Sequence, residues 1–324
     1  MVKNLKTTIL DVGGRYGIHP TWKKFSGEKK IFLVEPDKEE YNRLKKKYQR
    51  FEDIIIRNDG IADKNCKISL NIFDNPAMSS SMNRKNISPL FWGERKSQIK
   101  IKKKVIIKCK SLDSFISENN LDVDFLKLDV EGLETKILFN SKKIFRSMLG
   151  VRSEVSFANI FNESKNDVGS FSSLHKKMVE NNFTLLNLDY DGKGDYFSEF
   201  LSSNDKCGVL QNTDAVWIKN LDIIFKSSDQ VKILKLVSFL ILNNAMDLAI
   251  FILNKMSKKF KQFKLLQKSK IFNFVKISIL KHFYKLKWIP GQKILKHKIM
   301  YEKIFGEKYL SMNKFNENTE INPY

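Results

Sequence analysis

The sequence predicts an α/β fold, a doubly wound sheet of seven strands, followed by a basic α-helical region. Three observations predict it. Short apolar runs alternate with amphipathic stretches through the first two hundred residues, the pattern of a parallel sheet covered by helices. The first apolar run breaks into glycines, which suit a tight turn from a strand into a helix. Beyond Phe225 the sequence becomes rich in lysine, with apolar residues at helical spacing.

Apolar runs mark the strands of the N-terminal part. TTILDV (7–12) is the first predicted strand, and IFLVEP (31–36) is the second. A helix is expected next over DKEEYNRLKKKY, because Asp37 can cap its N-terminus and Glu40 stands three residues on. The third strand spans 54–57, and KISLNIF and KVIIKCKSLD are further strand-like runs with a polar loop between them.

The same alternation continues through the second half of the sheet region. VDFLKLDVEG predicts a buried strand that ends at Asp129, and the apolar spacing after it predicts a helix. MLGVRSEVSF is a strand that ends near Glu154. A helix over FSSLHKKMVENN, a strand and turn over FTLLNLDYDGKG, and a last strand over TDAVWIK follow. This series suits a seven-stranded doubly wound sheet.

The length and net charge of the chain limit the classes of function that it can have. The chain has 324 residues, of which 42% are hydrophobic, so it can bury a full core and is not disordered in composition. Its formal net charge of +22 attracts anionic partners. The basic residues are 50 Lys and only 8 Arg, however, and Arg is the usual choice for bidentate phosphate contacts. The composition therefore argues against a nucleic-acid partner.

Cysteine usage bears on metal binding and on the cellular setting. Cys66, Cys109 and Cys207 lie far apart and form neither a CxxC pair nor a set with His at metal-ligand spacing. No metal site is therefore expected. Scattered cysteines suit a reducing, cytoplasmic setting, and the lack of an apolar leader before the first strand argues against secretion.

The lysine-rich region predicts a division into a domain over 1–225, a basic helical region over 226–310 and a flexible tail over 311–324. Residues 226–310 contain 19 Lys against 4 acidic residues, a net charge of +15. Their most apolar stretch is long enough to span a membrane, but charged and amide residues interrupt it, which favours two helices joined at an Asn243-Asn244 turn. The lysines either solvate one helix face or hold the chain near an anionic membrane surface.

A glycine turn follows the first strand. Gly13, Gly14 and Gly17 form a GGxxG pattern, and glycine lets the backbone approach a ligand that a Cβ would push away. Asp11 could hold a positively charged amino group, and Glu35 stands at the strand end where an acid binds a ribose hydroxyl in nucleotide-binding folds. A pyrophosphate prefers GxGxxG and would be repelled by Asp11. The residues thus favour S-adenosylmethionine over a dinucleotide.

Carboxylates also cluster at the end of a later strand. Asp129, Glu131 and Glu134 lie where a buried strand meets a helix, and the ligand crevice of an open α/β sheet lies outside such strand ends. Asp129 should therefore face the crevice, whereas Glu134 is expected to complement the helix dipole. Glu154, at the end of the next strand, should face the same crevice. His19 is either a further candidate base or a structural residue.

Several motifs together resemble one family. ILDVGGRYG, VEP, SLD, FLKLDVEGLETKIL and TDAVW occur in the order and spacing of FkbM-type methyltransferases, and the resemblance covers roughly residues 7–219. It implies a Rossmann-like class I methyltransferase that uses S-adenosyl-L-methionine and often acts on a hydroxyl of a sugar or natural product. The candidate cofactor-binding set is Asp11, Gly13, Gly14, Gly17, Glu35, Pro36, Asp59, Gly60 and Asp129.

The function expected from these motifs is O-methylation of a glycan, a glycan precursor or a related natural product. Asp129, Glu131 and Glu154 are the candidate catalytic bases, because a carboxylate can take the hydroxyl proton as the new bond forms. A second hypothesis is an RNA methyltransferase, but DVEG replaces the Asn/Asp-Pro-Pro-aromatic motif of base-amine methyltransferases. A third is a non-catalytic module that binds through its basic helices, against which the intact glycine turn and acids argue.

Overall fold

The computed structural model describes residues 6–25, 28–83, 100–158, 170–188, 195–197, 209–227 and 229–260. The chain divides into two compact units, Met1–Leu236 and Val237–Tyr324. This division falls inside a helix, and the predicted boundary after residue 225 falls inside the helix before it. The predicted boundary after residue 310 lies outside the described residues.

The described elements follow the sequence pattern closely. The strands are β1 (Thr7–Val12), β2 (Lys29–Val34), β3 (Ile54–Arg57), β4 (Gly60–Ala62), β5 (Cys66–Phe73), β6 (Ile101–Ser111), β7 (Phe125–Leu128), β8 (Gly150–Ser156), β9 (Phe183–Leu188), β10 (Asp195–Phe197) and β11 (Val209–Lys219). The α-helices are α1 (Pro20–Lys23), α2 (Lys38–Tyr48), α3 (Leu112–Glu118), α4 (Glu134–Phe139), α5 (Ile144–Ser147), α6 (Phe171–Glu180), α7 (Leu221–Ser227), α8 (Gln230–Leu242) and α9 (Met246–Ser257). A 3-10 turn spans Pro76–Met78.

The larger sheet has the order β10-β11-β8-β7-β1-β2-β3, and β9 also pairs with β11. The strands from β3 to β8 in this order are parallel to their neighbours, whereas β11 runs antiparallel to β8. β9 pairs with residues 215–219 of β11 and β10 pairs with residues 209–212, so the two share one edge position. The eight strands therefore fill seven positions, and the predicted seven-stranded doubly wound sheet is confirmed.

Two of the predicted strands form a sheet of their own. β5 and β6, which correspond to KISLNIF and KVIIKCKSLD, pair antiparallel, and β4 adds to β6 in parallel. Apolar residues alternate along these strands, so one face of the small sheet is apolar and the other carries lysines. The buried residues of that apolar cluster are Ala62, Leu70, Ile72, Ile107 and Cys109.

The central strands are buried on both faces, which explains their nearly continuous apolar sequence. Ile9, Leu10, Ile31 and Leu33 have no exposed surface. The strand order reverses between β1 and β7, since the chain runs outward from β1 to β3 and then returns to β7. In open α/β sheets a ligand crevice forms outside the strand ends at such a reversal.

Helix α8 is tied to the sheet at its N-terminal half. The Lys235 ammonium lies 2.7 Å from a carboxylate oxygen of Asp124, and the same oxygen accepts a hydrogen bond from the Thr8 backbone N–H. Helices α8 and α9 are separated by a turn at Asn243 and Asn244. No helix among the described residues is long and apolar enough to cross a membrane.

Candidate functional site

A cavity of about 330 Å³ lies at the strand-order reversal, outside the carboxyl ends of β1, β2 and β7. One side is an apolar wall that includes Ile68, Leu70 and Ile107 of the three-stranded sheet. The predicted site residues that line it are Gly13, Glu35, Pro36, Asp59, Gly60, Asp129, Glu131 and Glu154. Asp11, Gly14 and Gly17 are not among its lining residues.

The glycine turn is shaped by close contact between two strand ends. Gly13 has a φ of 81°, and a Cβ on it would lie 1.7 Å from the Asp129 carbonyl oxygen. Any larger residue there would push β1 and β7 apart. A Cβ on Gly14 would lie 2.0 Å from the Leu33 side chain, and one on Gly17 would meet a tyrosine hydroxyl of α2. The last two glycines thus serve the packing of the turn, outside the cavity wall.

Glu35 follows the last residue of β2 and is only 3% exposed. Its Oε1 accepts a hydrogen bond from the Asp37 backbone N–H at 2.8 Å, and its carbonyl accepts one from the Asn58 side chain at 3.0 Å. Burial raises the pKa of Glu35 to about 7, against the opposing effects of the Asp37 N–H and the Arg15 guanidinium. A carboxylate fixed here can accept hydrogen bonds from a ribose diol.

The wall beside Glu35 is formed by Pro36 and by the start of β4. The Asp59 carboxylate lies 3.1 Å from the Lys110 ammonium, which fixes its orientation at the cavity. Gly60 leaves room for Cys109 of β6, whose Sγ would lie 2.4 Å from an added Cβ. The small sheet can therefore approach the end of β3 and close this side of the cavity.

The DVEG loop after β7 is held by hydrogen bonds from several directions. Glu131 has a φ of 57°, which is uncommon outside glycine, and its carbonyl accepts a hydrogen bond from the Ser80 hydroxyl at 2.5 Å. Glu134 is 1% exposed, and its two oxygens accept from the N–H groups of Val130 at 2.8 Å and Gly132 at 3.0 Å. Burial raises the pKa of Glu134 to about 7. Glu134 therefore organises the loop that carries Glu131.

Carboxylates from the end of β7, from α4 and from β8 converge beside this loop. Oxygen atoms of Asp129, Glu134 and Glu154 lie within 4.8 Å of one another, so these side chains could share a metal ion. The Lys127 ammonium already lies 2.9 Å from Asp129 Oδ2, so a metal ion that used this oxygen would compete with it. Glu154 is oriented by the Asn212 amide, which donates to its Oε1 at 2.7 Å.

Asp11 is fully buried beneath the cavity. Its Oδ2 accepts a hydrogen bond from the His19 backbone N–H at 2.8 Å, and burial raises its pKa to about 6. The His19 ring caps α1 by accepting from the Thr21 N–H at 3.3 Å, and its Nε2 lies 3.9 Å from Asp214. His19 is not among the cavity-lining residues, and these contacts account for its structural role.

Three residues at or near the cavity were not predicted from the sequence. Arg15 and Tyr16 line it from the glycine turn, and Arg15 is oriented by an ion pair with Asp37 at 3.1 Å. Lys127 lies beneath it, between Asp11 and Asp129. Its signal was present in the sequence, because a lysine between Leu126 and Leu128 in a buried strand must find a counter-charge.

A family model describes most of this framework. The model of the methyltransferase FkbM domain matches residues 11–190, more than half of the chain. The chain belongs to this family. The family assignment confirms the predicted fold class, a Rossmann-like class I methyltransferase, and the predicted cofactor, S-adenosyl-L-methionine. No curated protein matches the chain.

Solved structures with distant similarity include two methyltransferases and a domain with SAH bound. A SAM dependent methyltransferase from Aquifex aeolicus is 11% identical, with 66% of this chain and 84% of that chain covered and a TM-score of 0.30. An rRNA methylase from Streptococcus thermophilus is 7% identical, with coverages of 68% and 91% and a TM-score of 0.35. The N-terminal domain of EvdMO1 with SAH bound is 9% identical, with coverages of 66% and 74% and a TM-score of 0.32.

The residues at the cavity fit S-adenosylmethionine. Glu35 offers a buried carboxylate to the ribose diol at the end of β2. Val34, Ile61 and Pro36 add apolar surface nearby that suits a base. The turn at Gly13 and the carboxylate of Asp129 provide acceptors at the ends of β1 and β7 for an ammonium group.

Proposed function

We propose that this methyltransferase transfers the methyl group to a hydroxyl of a glycan, a glycan precursor or a related natural product. The observation that carries the proposal is the convergence of Asp129, Glu131 and Glu154 on the cavity that also contains Glu35. A hydroxyl acceptor must lose a proton during transfer, and a carboxylate within reach can take it. Amine acceptors of base methyltransferases are served instead by the Asn/Asp-Pro-Pro-aromatic motif, which DVEG replaces here.

The bound cofactor supplies a methyl group activated on a sulfonium. The protein supplies placement and a proton acceptor, because methyl transfer requires the acceptor oxygen in line with the breaking bond. Ser79 and Ser81 line the cavity and can donate hydrogen bonds to an acceptor hydroxyl, while the apolar wall can pack on a sugar ring face. Asp129 is our first candidate base, and Glu131 and Glu154 are the others.

The test is methyl transfer from S-adenosylmethionine carrying a labelled methyl group. The acceptor panel contains free sugars, nucleotide-activated sugars, small hydroxylated natural products and total RNA. The proposal predicts label on a sugar or natural product, in an ether that survives mild alkali. Alkali-labile label would indicate a methyl ester, and label on RNA would favour the rival hypothesis, so either result contradicts O-methylation of a hydroxylated small molecule or glycan.

A further inference from the structure

Lys127 is a buried lysine in the centre of an apolar strand. It lies in β7, between the fully buried Leu126 and Leu128, and only 6% of its surface is exposed. Neither the cavity lining nor the predicted site includes it. A charged group at such a position is costly unless it is surrounded by hydrogen-bond acceptors.

Four oxygen atoms surround the Lys127 ammonium. Asp129 Oδ2 lies at 2.9 Å and the Gly13 carbonyl at 3.1 Å, while the Val12 carbonyl lies at 3.5 Å and Asp11 Oδ1 at 3.9 Å. Two of these groups belong to β1, one to the glycine turn and one to the end of β7. A single ammonium therefore joins the two strand ends that border the strand-order reversal.

The charges in this cluster favour an ammonium at Lys127. Burial by itself would lower its pKa, but Asp129 and Asp11 outweigh that effect and raise it above the ordinary value. Asp11 Oδ1 is buried and has no hydrogen-bond partner among the described residues, and the Lys127 ammonium lies 3.9 Å from it. The Lys127 ammonium therefore occupies the position beside Asp11 that a cofactor ammonium could otherwise have taken.

We infer that Lys127 is a positioning residue for the methionine end of the cofactor. Its ammonium fixes the Gly13 carbonyl and the Asp129 carboxylate, the acceptors at the cavity wall, and Asp11 acts through Lys127 instead of contacting the cofactor. This inference differs from the sequence-based expectation that Asp11 itself holds the cofactor ammonium. The inference rests on the cofactor assignment and is independent of which acceptor is methylated.

Two ligands separate this role from a general effect on the fold. S-adenosylhomocysteine carries the amino-acid end, whereas 5′-methylthioadenosine has the same nucleoside without it. We compare their dissociation constants by calorimetry for the wild type, Lys127→Met and Lys127→Arg, with Lys104→Met as a control on the exposed face of β6. The Met variant keeps the apolar stem and removes the charge, and the Arg variant keeps the charge.

The expected result is selective. Lys127→Met should weaken the binding of S-adenosylhomocysteine by about tenfold or more and that of 5′-methylthioadenosine by less than about twofold, because only the acceptors at the amino-acid end would lose their fixed positions. Lys127→Arg should keep most of the preference for S-adenosylhomocysteine. Equal weakening of both ligands, or unchanged affinity for both, would overturn the positioning role.

Asp11→Asn provides a second test that does not depend on the folding of the Met variant alone. The comparison is between Lys127→Met and the double variant that carries both Asp11→Asn and Lys127→Met. If Asp11 acts through Lys127, the double variant should bind S-adenosylhomocysteine about as well as Lys127→Met does. If the double variant is weaker by a further tenfold or so, Asp11 contacts the cofactor directly and the inference is wrong. Should the wild type bind neither ligand, the cofactor assignment itself fails, which is a distinguishable outcome.

Discussion

At the scale of single residues, the site depends on charged groups at the ends of neighbouring strands. Glu35 follows β2, Asp129 follows β7 and Lys127 lies within β7, so the parallel sheet brings three charges to one edge. Their environments differ. Glu35 is buried and its pKa is raised to about 7, whereas the Asp129 side chain is about a third exposed and lies against an ammonium. These differences suit Glu35 to the ribose diol, whereas the partly exposed Asp129 can face both the methionine end of the cofactor and the acceptor.

Asp129→Asn is expected to retain the fold and lose most methyl transfer. The amide keeps an oxygen for the Lys127 ammonium but cannot take a proton, and general-base catalysis contributes about 10²–10⁴-fold in rate. The measurement is the rate of label transfer beside a thermal melt. Glu131→Gln and Glu154→Gln serve as matched variants. A near-normal rate for Asp129→Asn with a large loss for one of them would move the base to that residue.

At the scale of elements, the loop between β7 and α4 is the part on which the site depends most. Residues 130–132 lie outside the hydrogen-bond ladders of β7 and α4, and Glu131 and Gly132 both have positive φ. The Glu134 carboxylate supplies two acceptors from within the protein. The first turn of α4 thereby fixes the loop that carries Glu131 to the cavity.

Glu134→Ala is expected to destabilise the protein by about 2–4 kcal/mol, since two backbone N–H groups would lose their acceptor in a buried setting. Chemical denaturation measures the change. Glu134→Gln, which keeps one acceptor oxygen, should cost less, and Glu118→Ala on the exposed end of α3 should change stability by less than about 0.5 kcal/mol. An equal, small effect for all three variants would show that the loop does not need Glu134.

The strands with a clear apolar pattern were predicted well from the sequence, but the sequence did not show which strands pair with one another. The runs that became β1, β2 and β7 are mostly apolar over consecutive positions, which is typical of buried parallel strands. β5 and β6 are strand-like to the same degree, but pairing is a long-range property, so nothing local showed that they form a separate sheet. The same limit applies to Glu134, whose dipole interpretation missed the hydrogen bonds to Val130 and Gly132.

The candidate site shows the same contrast: the positions of its residues at strand ends could be predicted from the sequence, but their long-range contacts could not. Asp129, Glu131 and Glu35 were predicted from the general position of strand ends, and all three line the cavity. Asp11 belongs to the same motif, yet it is turned away from the cavity lining toward His19 and Lys127. The sequence shows that a carboxylate stands at this position but not which neighbouring cation it meets, because that cation lies 116 positions away in β7.

At the scale of the whole molecule, several buried carboxyl groups link stability to pH. Burial raises the pKa of Asp11 to about 6, of Glu35 to about 7 and of Glu134 to about 7. In the folded state these groups therefore bind protons more tightly than they do in the unfolded chain. Where the folded state binds more protons, the free energy of unfolding decreases as pH rises.

The melting temperature is accordingly expected to fall as pH rises from about 5 to about 8, with most of the change below the folded pKa values near 7. Thermal melts across this range measure the trend. Glu134→Gln should show a shallower decline, because it removes one of the titrating groups. A melting temperature that rises through the same window would contradict the raised pKa values.

The cavity at the strand-order reversal is expected to bind the cofactor through Glu35. Calorimetric titration of S-adenosylhomocysteine at pH 8, where Glu35 is ionised, tests it most directly, with Glu52→Ala as a control on the exposed surface. Tight binding is expected for the wild type and the control. For Glu35→Ala the binding free energy should weaken by about 2–4 kcal/mol, the cost of losing hydrogen bonds between a carboxylate and the ribose diol. Equal binding by wild type and Glu35→Ala would contradict it.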